Sequence, residues 1–382
     1  MKPVRVLQVI GIMNRAGAES LIMNLYRAVD RNTVQFDFVE HGNAPAVYDE
    51  EILSMGGRVY RCPKFSGKNL IAYRNWWDDF FDLHADEYEI VHGHIGSTAS
   101  IYLSSAKKNG LFTIAHSHNT NAPLNPKELA YRLLSYPTRY TADYFFSCSR
   151  QAGIDRYGKK IADDSSKLSV MNNAVDTAKF AFSSEKREKI RSCYGLDNSK
   201  LVIGHVGRFA QAKNHEYLID IFREIRTENQ NAKLLMVGDG ELRSNIENKV
   251  KEYGISDSVI FAGIQEHVDE YMSAMDVLVF PSVFEGLPVT LVEAQTSGLP
   301  CFISENIPAD AVIVPEIVKV LSLDDKLEVW ASQIKVNNSD DRRQYAEIVK
   351  QRGFDIESNA EKLTAFYIEK SNSVKEERSK KI

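Results

Sequence analysis

Two glutamates, Glu285 and Glu293, stand with seven residues between them in Phe284-Glu285-Gly286-Leu287-Pro288-Val289-Thr290-Leu291-Val292-Glu293. What they can do depends on how the chain spaces them. Ahead of them runs Val277-Leu278-Val279-Phe280-Pro281, an apolar run of strand length. Pro288 suits the first helical position, where its missing N–H would lack an intrahelical partner anyway. Gly298 and Pro300 supply the stop signal. The pattern predicts strand, loop and helix, with Glu285 in the loop and Glu293 one to two turns into the helix. Gly286 and Leu287 would offer backbone N–H groups at the helix start, a ready phosphate site. From Pro288 to Glu293 such a helix rises about 7.5 Å. That span is awkward for two carboxyls sharing one proton, and convenient for holding both ends of one long anionic ligand. A nucleotide-sugar is such a ligand.

Two cations offer the complementary charge. Arg208 and Lys213 lie in Val206-Gly207-Arg208-Phe209-Ala210-Gln211-Ala212-Lys213-Asn214, a loop between a predicted strand and a helix starting near Asn214. An Arg fork and a Lys point charge suit a diphosphate leaving group, whose charge grows as a glycosidic bond breaks. Alone, the pair would also fit an exposed basic loop. The turn Gly11-Ile12-Met13-Asn14-Arg15-Ala16-Gly17 is no Walker loop, since no Lys-Ser/Thr pair follows, and it lacks G-x-G-x-x-G. Its glycines would allow close backbone approach to a phosphate and sugar, with Gly17 opening a helix; a purely structural turn is the other reading.

Two His-x-His pairs, His92/His94 and His116/His118, each follow a predicted strand. Residues two apart on a strand face one way, so each pair can converge. Four imidazoles raise the question of a metal. No carboxylate or Cys spacing nearby resembles a familiar site, so the expectation is no metal and no cofactor. The stretch 125–139 mixes Leu129, Leu133, Leu134 and Tyr136 with Lys127, Arg132 and Arg139. Such a basic amphipathic helix either faces a core or lies on an anionic membrane surface.

The elements that must position these residues follow from composition and pattern. At 382 residues, two domains of ordinary size are expected. Hydrophobic residues at 43% and charged residues at 26% are those of a globular enzyme. A net charge of −5 does not favour nucleic acid as a partner. The four cysteines (Cys62, Cys148, Cys193, Cys301) are far apart and read as reduced thiols in a cytoplasmic protein. The apolar run near the N-terminus is too short to span a bilayer and reads as a first strand. Short apolar runs alternate with helical stretches, which argues parallel sheets flanked by helices. Strands are expected at 4–10, 36–40, 90–92, 111–116 and 144–147, then at 201–206, 234–237, 259–261, 277–280 and 301–304. Helices should start near Gly17, Lys68, Ser97 and Asn125, then near His215, Glu241, Val268 and Pro288. The last residues, 371–382, alternate Lys, Arg, Glu and Ser and read as a frayed end.

The Glu285…Glu293 segment resembles the carboxylate-pair signature of retaining glycosyltransferases of family 4, which have the two-domain GT-B fold. The Gly207-Arg208…Lys213 element, Gly238-Asp239-Gly240 and Asn173-Ala174-Val175-Asp176 resemble three further motifs of that family, with Ala174 in place of the usual Gly. The resemblance runs from the first strand to about residue 310. It implies an α/β GT-B fold, two Rossmann-like doubly wound parallel-sheet domains facing a central cleft. Domain limits would be 1–178 for the acceptor and 179–350 for the nucleotide-sugar, with 351–382 crossing back as a helix that carries Ala360, Leu363, Thr364 and Tyr367 on one face. It further implies transfer of a hexose or N-acetylhexosamine from a nucleotide-sugar, most simply a UDP-sugar, to a glycan hydroxyl with retained configuration. By the same resemblance, Glu285 and His118 contact the donor sugar, with His116 as the other choice. Glu293 holds the ribose, Arg208 and Lys213 the diphosphate, and Gly17, Gly286 and Leu287 the phosphate and sugar. Ile264, after Gly263, reads the base through backbone groups. No Asp-x-Asp occurs, so protein cations rather than a divalent metal would neutralise the diphosphate. The local flavour is that of capsule and exopolysaccharide enzymes, whose acceptors are oligosaccharides on a polyprenyl diphosphate. A nucleotide-sugar epimerase or hydrolase on this fold, or a non-catalytic two-domain binding protein, are the alternatives.

Overall fold

A computed structural model describes residues 2–14, 17–121, 124–334 and 341–380. The chain divides into two compact units, residues 1–174 with 356–382, and residues 175–355. The division falls four residues before the expected boundary at 178 and five after that at 350. Val175 explains both shifts: it pairs with Asp355 in an isolated parallel bridge and packs in a small core with Val292, Val314 and Phe354.

Unit 1 is built on a seven-stranded parallel sheet. In chain order its strands are β1 (Val4–Ile10), β2 (Val34–His41), β3 (Val59–Cys62), β4 (Ile90–Gly93), β5 (Phe112–Ser117), β6 (Tyr144–Ser147) and β7 (Leu168–Val170). The spatial order is β3-β2-β1-β4-β5-β6-β7. Alternation along each strand feeds two cores, as a sheet covered on both faces requires. Val6, Ile10, Phe36, Phe38, Ile90 and Ile114 fill one. Leu7, Val9, Val39, Val91 and Ala115 fill the other, under Tyr73, Trp77 and Phe81 of the helix Leu70–His84.

The first of these cores is closed by the final helix, Ile356–Ser379, through Ala360, Leu363 and Tyr367. The charged end was expected to fray. Instead the helix runs on to Ser379, with Ser371 and Val374 buried on the same stripe as Tyr367. Spacings of three and four residues keep all five on one helical face.

Unit 2 repeats the plan with six parallel strands. They are β8 (Val202–Val206), β9 (Lys233–Val237), β10 (Val259–Gly263), β11 (Val277–Phe280), β12 (Cys301–Ser304) and β13 (Val318–Leu321), ordered β10-β9-β8-β11-β12-β13. Its helix His215–Glu228 buries Leu218, Ile219, Ile221, Phe222 and Ile225, the stripe of a 3.6-residue period. In each unit the winding reverses beside the first strand, between β1 and β4 and between β8 and β11. Ligands of doubly wound sheets bind beyond the carboxyl ends of the strands at such a switch point. Strands β3, β7 and β13 were not expected from the sequence.

Candidate functional site

The loops that follow β8 and β11 carry five of the residues singled out above, Arg208, Lys213, Glu285, Gly286 and Leu287. Lys213 Nζ donates to Glu285 Oε1 at 2.6 Å and lies 4.6 Å from the ring centroid of Phe280, the last residue of β11. Both partners of this ion pair are largely covered, at 18% and 12% side-chain exposure. The loops are also joined by their backbones, Val283 N–H donating to Ala212 C=O at 2.8 Å. Asn214 then turns the chain into the following helix at φ 56°, the one non-glycine positive φ among the described residues. Asn tolerates that region better than most side chains.

Glycines bring the neighbouring loops to the same place. Gly207 N–H donates to Val237 C=O, Phe209 N–H to Asp239 C=O, and Leu242 N–H to Phe209 C=O, each at 3.0 Å. A Cβ on Gly238 would lie 2.1 Å from Gly207 O, and one on Gly240 would lie 2.6 Å from Phe209 O. Gly238 also has φ 132°. The Gly-Asp-Gly turn is therefore a backbone-to-backbone interlock that admits no side chain at either glycine.

Arg208 and Lys213 do not converge. Arg208 is exposed and turned to Glu241, Nε donating to Oε2 at 3.1 Å, whereas Lys213 points to Glu285. Pro288 takes the N-cap position of the helix Val289–Thr296, with extended ψ of 109°, rather than the first helical position. Gly286 and Leu287 thus belong to the loop before the cap, both half-buried. From Val289 to Glu293 the rise is about 6 Å, not 7.5 Å. Glu293 is half-buried, and its carboxyl is pushed up to about 7. Burial is the main cause, reinforced by Asp269 and opposed by Lys179. Asp269, itself buried, receives Lys186 Nζ at 2.7 Å. Ile264 follows Gly263, at φ 70°, and is exposed.

In unit 1 the strand register explains why histidines gather. Gln8 of β1 lies opposite His92 of β4, and His92 lies opposite Ile114 of β5, whose next same-face residue is His116. His94 and His118 continue those faces just past the strand ends. The two pairs form one stack: ring centroids are 4.4 Å apart for His92–His94, 5.3 Å for His92–His116 and 4.1 Å for His116–His118, with interplanar angles of 18–26°. His92 and His116 are buried, while His94 and His118 are half-buried at the outer end. Burial depresses all four, His118 to about 4, so the stack is neutral.

Nitrogens of His92, His94 and His116 lie within 4.8 Å of one another. Imidazole lone pairs lie in the ring plane, however, and His92 stacks nearly parallel on His116, while both nitrogens of His94 already meet Gln8 and His118. Gly17 begins the helix Gly17–Ala28; Arg15 and Ala16 lie outside the described residues. Cys62, Cys148 and Cys301 are buried, and Cys193 is exposed.

Sequence reasoning did not find Glu241 as the partner of Arg208, Lys179 and Asp269 near Glu293, or Gln8 and Tyr367 beside the histidines. It also passed over His205 and His215, both buried near Lys213, with His215 stacked on Phe209 at 4.2 Å. Only the second had a signal, as the residue after the Lys213-Asn214 turn.

Comparison with known proteins agrees with this architecture. Residues 186–351 match the family described as Glycosyl transferases group 1, and residues 15–179 match Glycosyltransferase Family 4. EpsF of Bacillus subtilis (strain 168), a glycosyltransferase by name, is 33% identical over 374 residues, covering 95% of this chain and 96% of that protein. The UDP-Gal:alpha-D-GlcNAc-diphosphoundecaprenol alpha-1,3-galactosyltransferase of Escherichia coli is 27% identical over 302 residues, covering 75% and 77%. Among solved structures, HepE from Anabaena in complex with UDP superposes with a TM-score of 0.70 at 16% identity, over the whole of both chains. WaaG, a glycosyltransferase involved in lipopolysaccharide biosynthesis, gives 0.68 at 15% identity, covering 95% and 99%. With EpsF similar along nearly its whole length and both halves matched, this chain is a GT-B glycosyltransferase of group 1, family 4.

Proposed function

We propose that the enzyme transfers a hexose or N-acetylhexosamine, with retained configuration, from a UDP-sugar to a hydroxyl of a lipid-linked glycan in exopolysaccharide assembly. The observation that carries the reading is the Lys213–Glu285 pair at the switch point of unit 2, with Glu293 in the helix that follows. In this reading Lys213 and Arg208 leave their carboxylates to meet the diphosphate. The bond from the anomeric carbon to the diphosphate oxygen breaks, and that oxygen takes the proton of the acceptor hydroxyl as the new glycosidic bond forms on the same face. Glu293 accepts from the ribose hydroxyls, and the loop N–H groups of Gly286 and Leu287 add to the phosphate site. The backbone after Gly263, at Ile264, faces the base. Glu285 and His118 act on the sugar, and Gly17 permits close approach. His118 is favoured over His116 because it is the less buried of the two.

The donor and acceptor classes draw on the relatives. The Escherichia coli protein is named for a UDP-Gal donor and a diphosphoundecaprenol-linked acceptor, and the HepE structure contains UDP. A peripheral membrane contact for such an acceptor is supported by the helix Pro126–Ser135, where Leu129 and Leu133 are exposed beside Arg132. No helix among the described residues is long and apolar enough to cross a membrane. The reading requires no cofactor and no metal.

A thermal-shift panel of UDP, GDP and ADP, with Glu293→Ala and Glu285→Ala alongside, tests the donor site. Stabilisation by UDP above the others, lost in Glu293→Ala and kept in Glu285→Ala, is expected. No response to any diphosphate, or equal loss in both variants, rejects the assigned roles.

A further inference from the structure

The outer histidines belong to a hydrogen-bond chain whose direction is set at one buried amide. We propose that Gln8 and His94 are positioning residues that fix His118 in the tautomer with a bare Nδ1, so that the group it receives is a hydroxyl donor. This deepens, and rests on, the reading that His118 acts on the sugar.

The argument follows the protons. Gln8 Oε1 lies 2.8 Å from His94 Nε2 and can only accept, so His94 Nε2 carries the hydrogen. A neutral imidazole has one N–H, and burial holds His94 neutral. His94 Nδ1 is therefore a lone pair. It lies 2.8 Å from His118 Nε2, which must donate to it. His118 is neutral too, so its Nδ1 has no hydrogen. That atom is covered and has no partner among the described residues. A buried acceptor left empty is costly, and a ligand hydroxyl would satisfy it. A lone pair, rather than an N–H, is also what a sugar carbon gaining positive charge requires of its surroundings.

The amide has a partner at its other end as well. Gln8 Nε2 lies 3.4 Å from Tyr367 Oη, and Tyr367 Oη lies 2.6 Å from His92 Nδ1. In this direction the tyrosine hydroxyl accepts from Gln8 and donates to His92; the opposite direction needs His92 Nδ1 to carry the hydrogen. Turning the amide over would reverse every donor in the chain. Gln8 is almost completely buried in the middle of the sheet, opposite His92, so it is not free to exchange with water.

The test uses the full chain with 15N-labelled histidine and long-range proton–nitrogen correlation, His118 being identified by its loss in His118→Ala. The expected spectrum has protonated Nε2 and unprotonated Nδ1 on both His94 and His118. Gln8→Leu, close to Gln in shape and suited to a buried strand, should shift His118 toward the other tautomer. Gln8→Glu, which still accepts, should keep the original one. In turnover, Gln8→Leu should lower kcat by about tenfold, the worth of one hydrogen bond, with KM for the donor within about twofold. Gln8→Glu should restore most of the loss. A proton on Nδ1 of His118 in the native protein, or an unchanged tautomer in Gln8→Leu, overturns the proposal. Full turnover in His118→Ala sinks the sugar-site reading itself, and the nitrogen signals separate that failure from a failure of the relay.

Discussion

If Glu293 holds the ribose, as proposed, its raised carboxyl makes nucleotide binding pH-dependent. Its ordinary value of 4.5 is pushed up to about 7 by burial and by Asp269. If the ribose hydroxyls donate to this group, the bound state favours the ionised form. With a pKa of about 7, roughly a tenth of the carboxyl is ionised at pH 6 and roughly nine-tenths at pH 8. UDP affinity should therefore rise nearly tenfold across that interval, nearly full above about pH 8 and lost as pH falls through about 7. Stability of the ligand-free protein should run the other way. A carboxyl raised on folding contributes stability that is complete below its unfolded value of 4.5 and lost as pH rises through about 7. Calorimetry at pH 6, 7 and 8, in two buffers of different ionisation enthalpy, counts the protons released on binding. Glu293→Gln supplies the baseline, because the terminal phosphate of UDP titrates in the same range and does so in both proteins. The wild type should release more protons than the variant at pH 6, and the excess should vanish at pH 8. Identical slopes in the two proteins would refute the argument, either because the carboxyl is not displaced or because the nucleotide does not touch it.

Three further expectations follow from other parts of the structure. Lys213→Met removes the cation and leaves Glu285 unpaired, so UDP affinity should fall about ten- to a hundredfold, the worth of a charged hydrogen bond; Glu285→Gln, which frees Lys213, should keep UDP affinity while turnover drops. Gly240→Ala forces a methyl against Phe209 O and should cost about 1–3 kcal/mol, seen as a lower Tm; an unchanged Tm would mean the loops part without strain. EDTA should leave transfer intact, and abolished activity restored by a divalent metal would return the histidine stack to a ligand role.

How much of this was legible depended on the range over which each signal acts. Strands β6, β11 and β12 could be bounded from sequence because each is a short, mostly apolar run whose residues are buried on both faces, and β1 because its apolar positions outweigh Arg5 and Gln8. The missed strands are sheet edges, β3, β7 and β13, where Arg61, Ser169 and Lys319 interrupt the run. An edge needs one apolar face at most, so periodicity over three or four residues carries too little signal. The final helix looked shorter than it is because its buried stripe passes through Ser371, a polar residue that hydrophobic patterning does not count. In the site, the loop residues Glu285 and Lys213 were legible through their types and their positions after strands. That Lys213 meets Glu285 while Arg208 turns to Glu241 was not, because it depends on how separate loops pack. The stacking of His92/His94 on His116/His118 depends on strand register, which the residues of one strand do not encode alone.

The return of the last helix to the first sheet also sets a timetable. Unit 2 is an insertion within unit 1, entered at Val175 and left at Asp355. During synthesis from the N-terminus, unit 2 can close while unit 1 still lacks the helix that covers Phe36, Ile90 and Ile114. His92 and Gln8 wait for the hydroxyl of Tyr367 over the same interval. A chain stopped short of that residue would display an apolar sheet face and an unfinished histidine stack, both marks that a chaperone or protease can read. Whether unit 1 is whole is thus decided by residues made only after all of unit 2.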